Sequence, residues 1–155
     1  MDRWLLVGLI VLGVFAVGTG GAIVLKNTRG FRNNNPGNLI YLKAFDWQGQ
    51  IGSDPEGFAI FDTMENGVRA MVKDLRTGFG RQTNTVREIV SEYAPPSENP
   101  TNAYIAHVSR ALNVAPDDLL TEARIRELTH ALIRFENGAD LPSEILDEGI
   151  RRAYI

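Results

Sequence analysis

The chain has 155 residues, 44% of them hydrophobic, which suits one compact domain with a terminal appendage. It contains no cysteine, so a disulfide framework, a thiolate metal site and a cysteine nucleophile are all excluded. A net charge of −3 gives no basic footprint for nucleic acid, and two histidines, His107 and His130, are too few for a His-rich zinc site.

Trp4 to Leu25 carries no charge and only one hydroxyl, Thr19. A bilayer-spanning helix needs about 20 such residues, so the segment 4–25 predicts a transmembrane helix, with Trp4 as an interfacial anchor. A secretory signal peptide is the competing reading. Its apolar stretch is usually only about 7–15 residues long, and Gly18 to Ala22 makes a weak cleavage site. The reading is therefore a single-pass protein of a virion or host inner membrane, with lipid as one partner. Lys26, Arg29 and Arg32 against Arg3 place the following domain on the cytoplasmic side, away from a periplasmic substrate; insertion in a virion membrane removes that conflict.

Residues 26–32 read as a basic linker and 33–155 as the folded domain. Asn33, Asn34, Asn35, Pro36, Gly37 and Asn38 concentrate turn-forming residues. Between Leu39 and Asp62, aromatic and β-branched residues broken by Gly49, Gly52, Pro55 and Gly57 predict one or two short strands, best at Phe58–Phe61. Thr63 caps a predicted helix running to about Thr77, with Val68, Met71, Val72 and Leu75 as its apolar stripe and Gly78 and Gly80 as its stop. Thr85 caps a second helix over Val86 to Tyr93. A third opens at Pro100 and Thr101 and runs to Leu112, with Tyr104, Ile105, Val108, Ala111 and Leu112 inward. Asn113 to Asp118 is a turn. Two more helices follow, from Thr121 to Phe135 and from Ser143 to Arg152, separated by Glu136-Asn137-Gly138 and Pro142. The domain is thus mainly α, an α+β arrangement with a small β or loop lobe.

Glu136 closes an apolar helix end formed by Leu132, Ile133 and Phe135, a setting that raises a carboxyl pKa and suits a general acid for glycosidic cleavage. The plain alternative is a solvated residue beside a C-cap glycine. Glu98, in a proline-flanked loop, is the reserve acid. Asn34, Asn35 and Asn38 either bind sugar or form turns. Trp47 either stacks on a sugar or fills the lobe, and Tyr93 and Tyr104 either line a cleft or belong to the core. Glu65 reads as a first-turn helix residue, and His107 and His130 as packing or hydrogen-bonding groups.

Arg29-Gly-Phe-Arg-Asn-Asn-Asn-Pro-Gly-Asn-Leu, Trp47-Gln-Gly, Phe58-Ala-Ile-Phe-Asp-Thr-Met-Glu-Asn-Gly-Val-Arg-Ala, Tyr93-Ala-Pro-Pro-Ser-Glu-Asn-Pro-Thr and Arg134-Phe-Glu-Asn-Gly resemble a phage family of small lysozyme-like virion proteins. The asparagine block and Trp47-Gln-Gly also resemble the substrate lobe of flagellar-type and autolysin glucosaminidases. Phe-Glu-Asn-Gly resembles the Glu-Ser-Gly helix end of goose-type lysozymes and lytic transglycosylases, with Asn137 in place of serine and the acid helix permuted to follow the lobe. The resemblance implies a lysozyme-like fold and a peptidoglycan substrate cleaved in its glycan strand by Glu136, acting alone and without metal or organic cofactor. It also implies other virion proteins as partners. A non-catalytic virion structural or membrane protein is the second expectation. A peptidase is the third, opposed by the lack of cysteine and of a His/Asp metal signature.

Overall fold

The computed structural model describes residues 28–94 and 101–155. A short helix α1 (Arg29–Arg32) leads into the asparagine block. A two-stranded antiparallel sheet, β1 (Gln50–Ser53) and β2 (Ala59–Phe61), follows, and then come helices α2 (Met64–Phe79), α3 (Val86–Tyr93), α4 (Thr101–Leu112), α5 (Ile125–Asn137) and α6 (Ser143–Arg152). The mixed, mainly helical class with a small β lobe agrees with the sequence reading.

The accompanying membrane-spanning helix, and with it the single-pass membrane location, is corrected. Among the described residues no helix is long and apolar enough to cross a membrane. The longest, α2, has 16 residues and carries Glu65, Arg69, Lys73, Asp74 and Arg76, whereas a span needs about 20 apolar ones. Trp4–Leu25 itself lies outside the described residues, as does Pro100. Arg29–Arg32, read as linker, is instead a helical turn whose Gly30 is buried.

Local chemistry explains the helix boundaries. Thr63 accepts the Asn66 amide at 3.3 Å, and Thr85 and Glu88 form a reciprocal capping box at the start of α3. Gly78 does not stop α2; the helix runs to Phe79 and ends at Gly80, whose N–H bonds the Arg76 carbonyl. The helix predicted from Thr121 to Phe135 begins as a single 3₁₀ turn, Glu122–Arg124, and extends to Asn137, so Glu136 lies within its last turn. In the lobe, Gln50 pairs with Phe61, Gly52 with Ile60 and Ser53 with Ala59, an irregular register that leaves Ile51 68% exposed.

Helix α2 organises the core, packing along α6 and touching α5 and β2, while α5 packs on α4 and α1. Val68, Met71, Val72, Val86, Val90, Val108, Leu128 and Leu132 are fully enclosed. Ala111, placed in the α4 stripe, is exposed. The asparagine block sits directly against the start of α2: a Cβ at Gly67 would lie 1.8 Å from the Asn34 carbonyl oxygen. Neither backbone can yield there without moving the block, so Gly67→Ala is expected to cost about 3 kcal/mol or more in urea denaturation. A loss under about 1 kcal/mol would mean that the block is not held against α2.

Candidate functional site

The last turn of α5 carries Glu136, and Gly138 releases the chain in the left-handed conformation at φ 67°, with its N–H bonded to the Arg134 carbonyl at 2.9 Å. Asn38 reaches Glu136 from 98 residues away: its Nδ2 donates to Glu136 Oε2 at 3.0 Å. The backbone of Asn38 is left-handed at φ 49°, which asparagine tolerates better than most residues, and this aims the carboxamide at the helix end. Tyr104, on α4, is 0% exposed and stacks on Phe135 with ring centroids 3.9 Å apart.

Burial pushes the Glu136 carboxyl up to about 7, against the opposing pull of the Asn38 hydrogen bond, the Tyr104 hydroxyl and the Arg29 guanidinium. Glu136 as a whole is half-buried, but its Oε1 is closed off from solvent. The plain alternative of a solvated C-cap residue is therefore not what the structure shows. Burial, and then the negative charge of Glu136, raise the Tyr104 hydroxyl well above its usual range.

The other sequence candidates separate from this group. Asn35 is 1% exposed and spends its side chain on the fold, donating to the carbonyls of Leu39 at 2.8 Å and Ala59 at 2.9 Å and accepting the Leu39 amide at 2.9 Å. Asn34 donates to the carbonyls of Phe61 and Asp62. Both tie the asparagine block to β2 and its end. Asn35→Ala is expected to lower stability by about 3 kcal/mol, measured by thermal melting, because it strands buried backbone groups. Trp47 stacks on Phe45 at 5.5 Å and packs on the lobe's side of the core. Glu98 lies outside the described residues. His107 tilts against the Phe135 ring and His130 pairs with Asp140 at 2.9 Å. Among the described residues no cluster of three or more His, Asp or Glu residues could hold a metal ion.

Three participants escaped the sequence reading. Asn137 donates to the carbonyls of Pro36 at 2.8 Å and Ile133 at 3.0 Å and accepts from the Thr28 hydroxyl at 3.2 Å. It clamps the asparagine block onto the acid helix, a span that the shorter serine side chain of the resembled motif would not bridge. A Cβ on Gly30 would come within 2.2 Å of Asn137 Oδ1, so that clamp also requires glycine in α1. Asp74 is the second: no aspartate near Glu136 in sequence offers a second carboxyl, but Asp74 on α2 accepts from the Tyr93 hydroxyl at 3.4 Å. Its pKa is raised to about 6, chiefly by burial, and Tyr93 is raised by burial and by the charges of both Asp74 and Glu136. The signal was present, since Asp74 interrupts the apolar stripe between Met71 and Leu75. Arg29 is the third: it lies over the Phe58 ring at 3.9 Å, pairs with Asp54 at 3.9 Å and with Glu56, and acts electrostatically on Glu136.

No protein-family model matches the sequence. The sequence is similar to Protein P5 of Pseudoalteromonas phage PM2, with 31% identity over 119 residues that cover 72% of each chain.

Proposed function

The chain belongs to the family of Protein P5 of Pseudoalteromonas phage PM2, and on that premise we propose that it is a phage protein that opens host peptidoglycan by cleaving the glycan strand. The observation that carries this reading is Glu136, a carboxyl at a rigid helix end whose pKa is raised to about 7 by burial while Asn38 fixes its orientation. A group with that pKa is protonated in a large fraction of molecules at neutral pH and regains its proton readily, as general acid–base work requires. The resemblance of the asparagine block and of Phe-Glu-Asn-Gly to lysozyme-like and transglycosylase sequences supports the same chemistry.

In this mechanism the protonated Glu136 gives its proton to the glycosidic oxygen as the bond from the anomeric carbon to that oxygen breaks. The resulting carboxylate then takes the proton of the attacking hydroxyl. If the attacker is the 6-hydroxyl of the same sugar, the product is an anhydro-sugar; if it is water, the product is a reducing end. Glu136 ends protonated in either case. One acid–base carboxyl suffices, and lytic transglycosylation is favoured over a two-carboxylate hydrolysis.

The test is digestion of purified peptidoglycan by the full chain, with the soluble fragments read by mass spectrometry. Anhydro-sugar ends support transglycosylation and reducing ends support hydrolysis. New amino groups without new sugar ends, or no products, would overturn the reading. A non-catalytic virion structural role, with other virion proteins as partners, is the second reading. It is favoured by the closure of Glu136 Oε1 to solvent.

A further inference from the structure

Two carboxyls and two phenols, all largely withdrawn from water, come from four different helices: Asp74 from α2, Tyr93 from α3, Tyr104 from α4 and Glu136 from α5. Asp74 falls on the inward face of α2, among the buried residues Met71, Leu75 and Gly78. A carboxyl on such a face costs free energy unless it is paired, and its partner here is Tyr93, whose hydroxyl donates to Asp74 Oδ2 at 3.4 Å. The charged groups beside this pair are Glu92 on α3 and Arg81 beyond the end of α2, and they act on Asp74 in opposite directions. Tyr93 also lies in the field of Glu136, and Tyr104 lies in the fields of Glu136 and Tyr93 together. Tyr93 is therefore the group that both carboxyls act on.

We propose that Asp74 is a positioning residue for the proton on Glu136, acting through the Tyr93 hydroxyl. The bond to Asp74 spends the Tyr93 proton on that carboxylate, so Tyr93 offers the rest of the cluster only its oxygen, the negative end of the dipole. An Asp74 carboxylate polarises the O–H bond further and makes that oxygen more negative. With little water to screen it, this polarisation adds to the Asp74 charge itself and disfavours a second negative charge on Glu136. Asn38, Tyr104 and Arg29, the other groups facing Glu136, all favour its carboxylate, and Asp74 opposes them alongside burial. His107, against the Phe135 ring, answers instead to Arg134 and Arg110. The coupling does not depend on which bond Glu136 helps to break; its use in glycan cleavage rests on the reading given above.

The test is a titration of the Glu136 carboxyl carbon by nuclear magnetic resonance in the full chain, with Asp74→Asn, Tyr93→Phe and the double variant beside the wild type. Asparagine is nearly isosteric and still accepts from Tyr93, so Asp74→Asn removes the charge and keeps the bond. The Glu136 midpoint is expected to fall by at least about 0.5 pH unit, about a threefold change in proton affinity, as removal of a nearby like charge gives. In the Tyr93→Phe background the same substitution is expected to move it by less than about half as much, because the transmitting hydroxyl is gone. An unmoved midpoint in Asp74→Asn overturns the proposal and leaves Asp74 as a partner for a buried hydroxyl. A shift of undiminished size without the phenol overturns it as well. The alkaline midpoint of peptidoglycan cleavage is expected to move with the resonance midpoint. A shifted resonance without cleavage would leave the coupling standing and remove the enzymatic reading; cleavage with an unmoved resonance midpoint would do the reverse.

Discussion

Glu136→Gln is expected to reduce release of soluble glycan fragments from peptidoglycan by at least about a thousandfold, because loss of a general acid–base group costs of that order. The substitution is nearly isosteric, and a glutamine oxygen still accepts from Asn38 Nδ2, so the far-UV circular dichroism spectrum should not change. The loss then belongs to the proton and not to the fold. Wild-type activity should fall on the alkaline side with a midpoint near 7, where Glu136 gives up the proton it must donate. A variant retaining a tenth of wild-type activity would assign the chemistry to another group. Asp74, raised to about 6 and hydrogen-bonded to Tyr93, is the next to replace.

What the sequence could express here was local. The Thr85 capping box, the α2 stripe and the span of α6 all arise from residues a few positions apart, and they appear where periodicity and capping place them. Glu136 was legible as a candidate because its apolar neighbours precede it directly. The contacts that make it a buried carboxyl were not legible, since Asn38 and Asn137 join the two ends of the domain across 98 and 101 residues. The asparagine block shows the same limit in another form. Asn34, Asn35 and Asn38 share one composition and one turn, but backbone direction sends two of them to β2 and one to the acid. No spacing rule distinguishes them. The 3₁₀ start and the late end of α5 were also missed, and the second matters because it places Glu136 in the final turn, where the helix fixes its Cα.

The same burial that tunes Glu136 should make the protein less stable as pH rises. The unfolded carboxyl has an ordinary pKa of 4.5, and in the folded protein it is raised to about 7. Between these values the folded state binds more protons than the unfolded one, so unfolding free energy falls with increasing pH. The contribution is fully present below pH 4.5 and is lost by the time pH passes 7. A shift of this size corresponds to about 3 kcal/mol at most. Asp74, raised from 3.8 to about 6 chiefly by burial, acts in the same direction over a window about one unit lower. Glu136→Gln, neutral at every pH, should therefore match the wild type at pH 4 and exceed it at pH 8, with a Tm gain on the order of 10 °C. Asp74→Asn should show a smaller gain that begins at lower pH. Thermal melts of the three proteins across pH 4 to 8 check this. An equal Tm offset at both ends would assign the effect to repacking. A gain that grows with pH would mean that the fold tolerates a destabilised carboxylate at Glu136, as general acid–base work there would require.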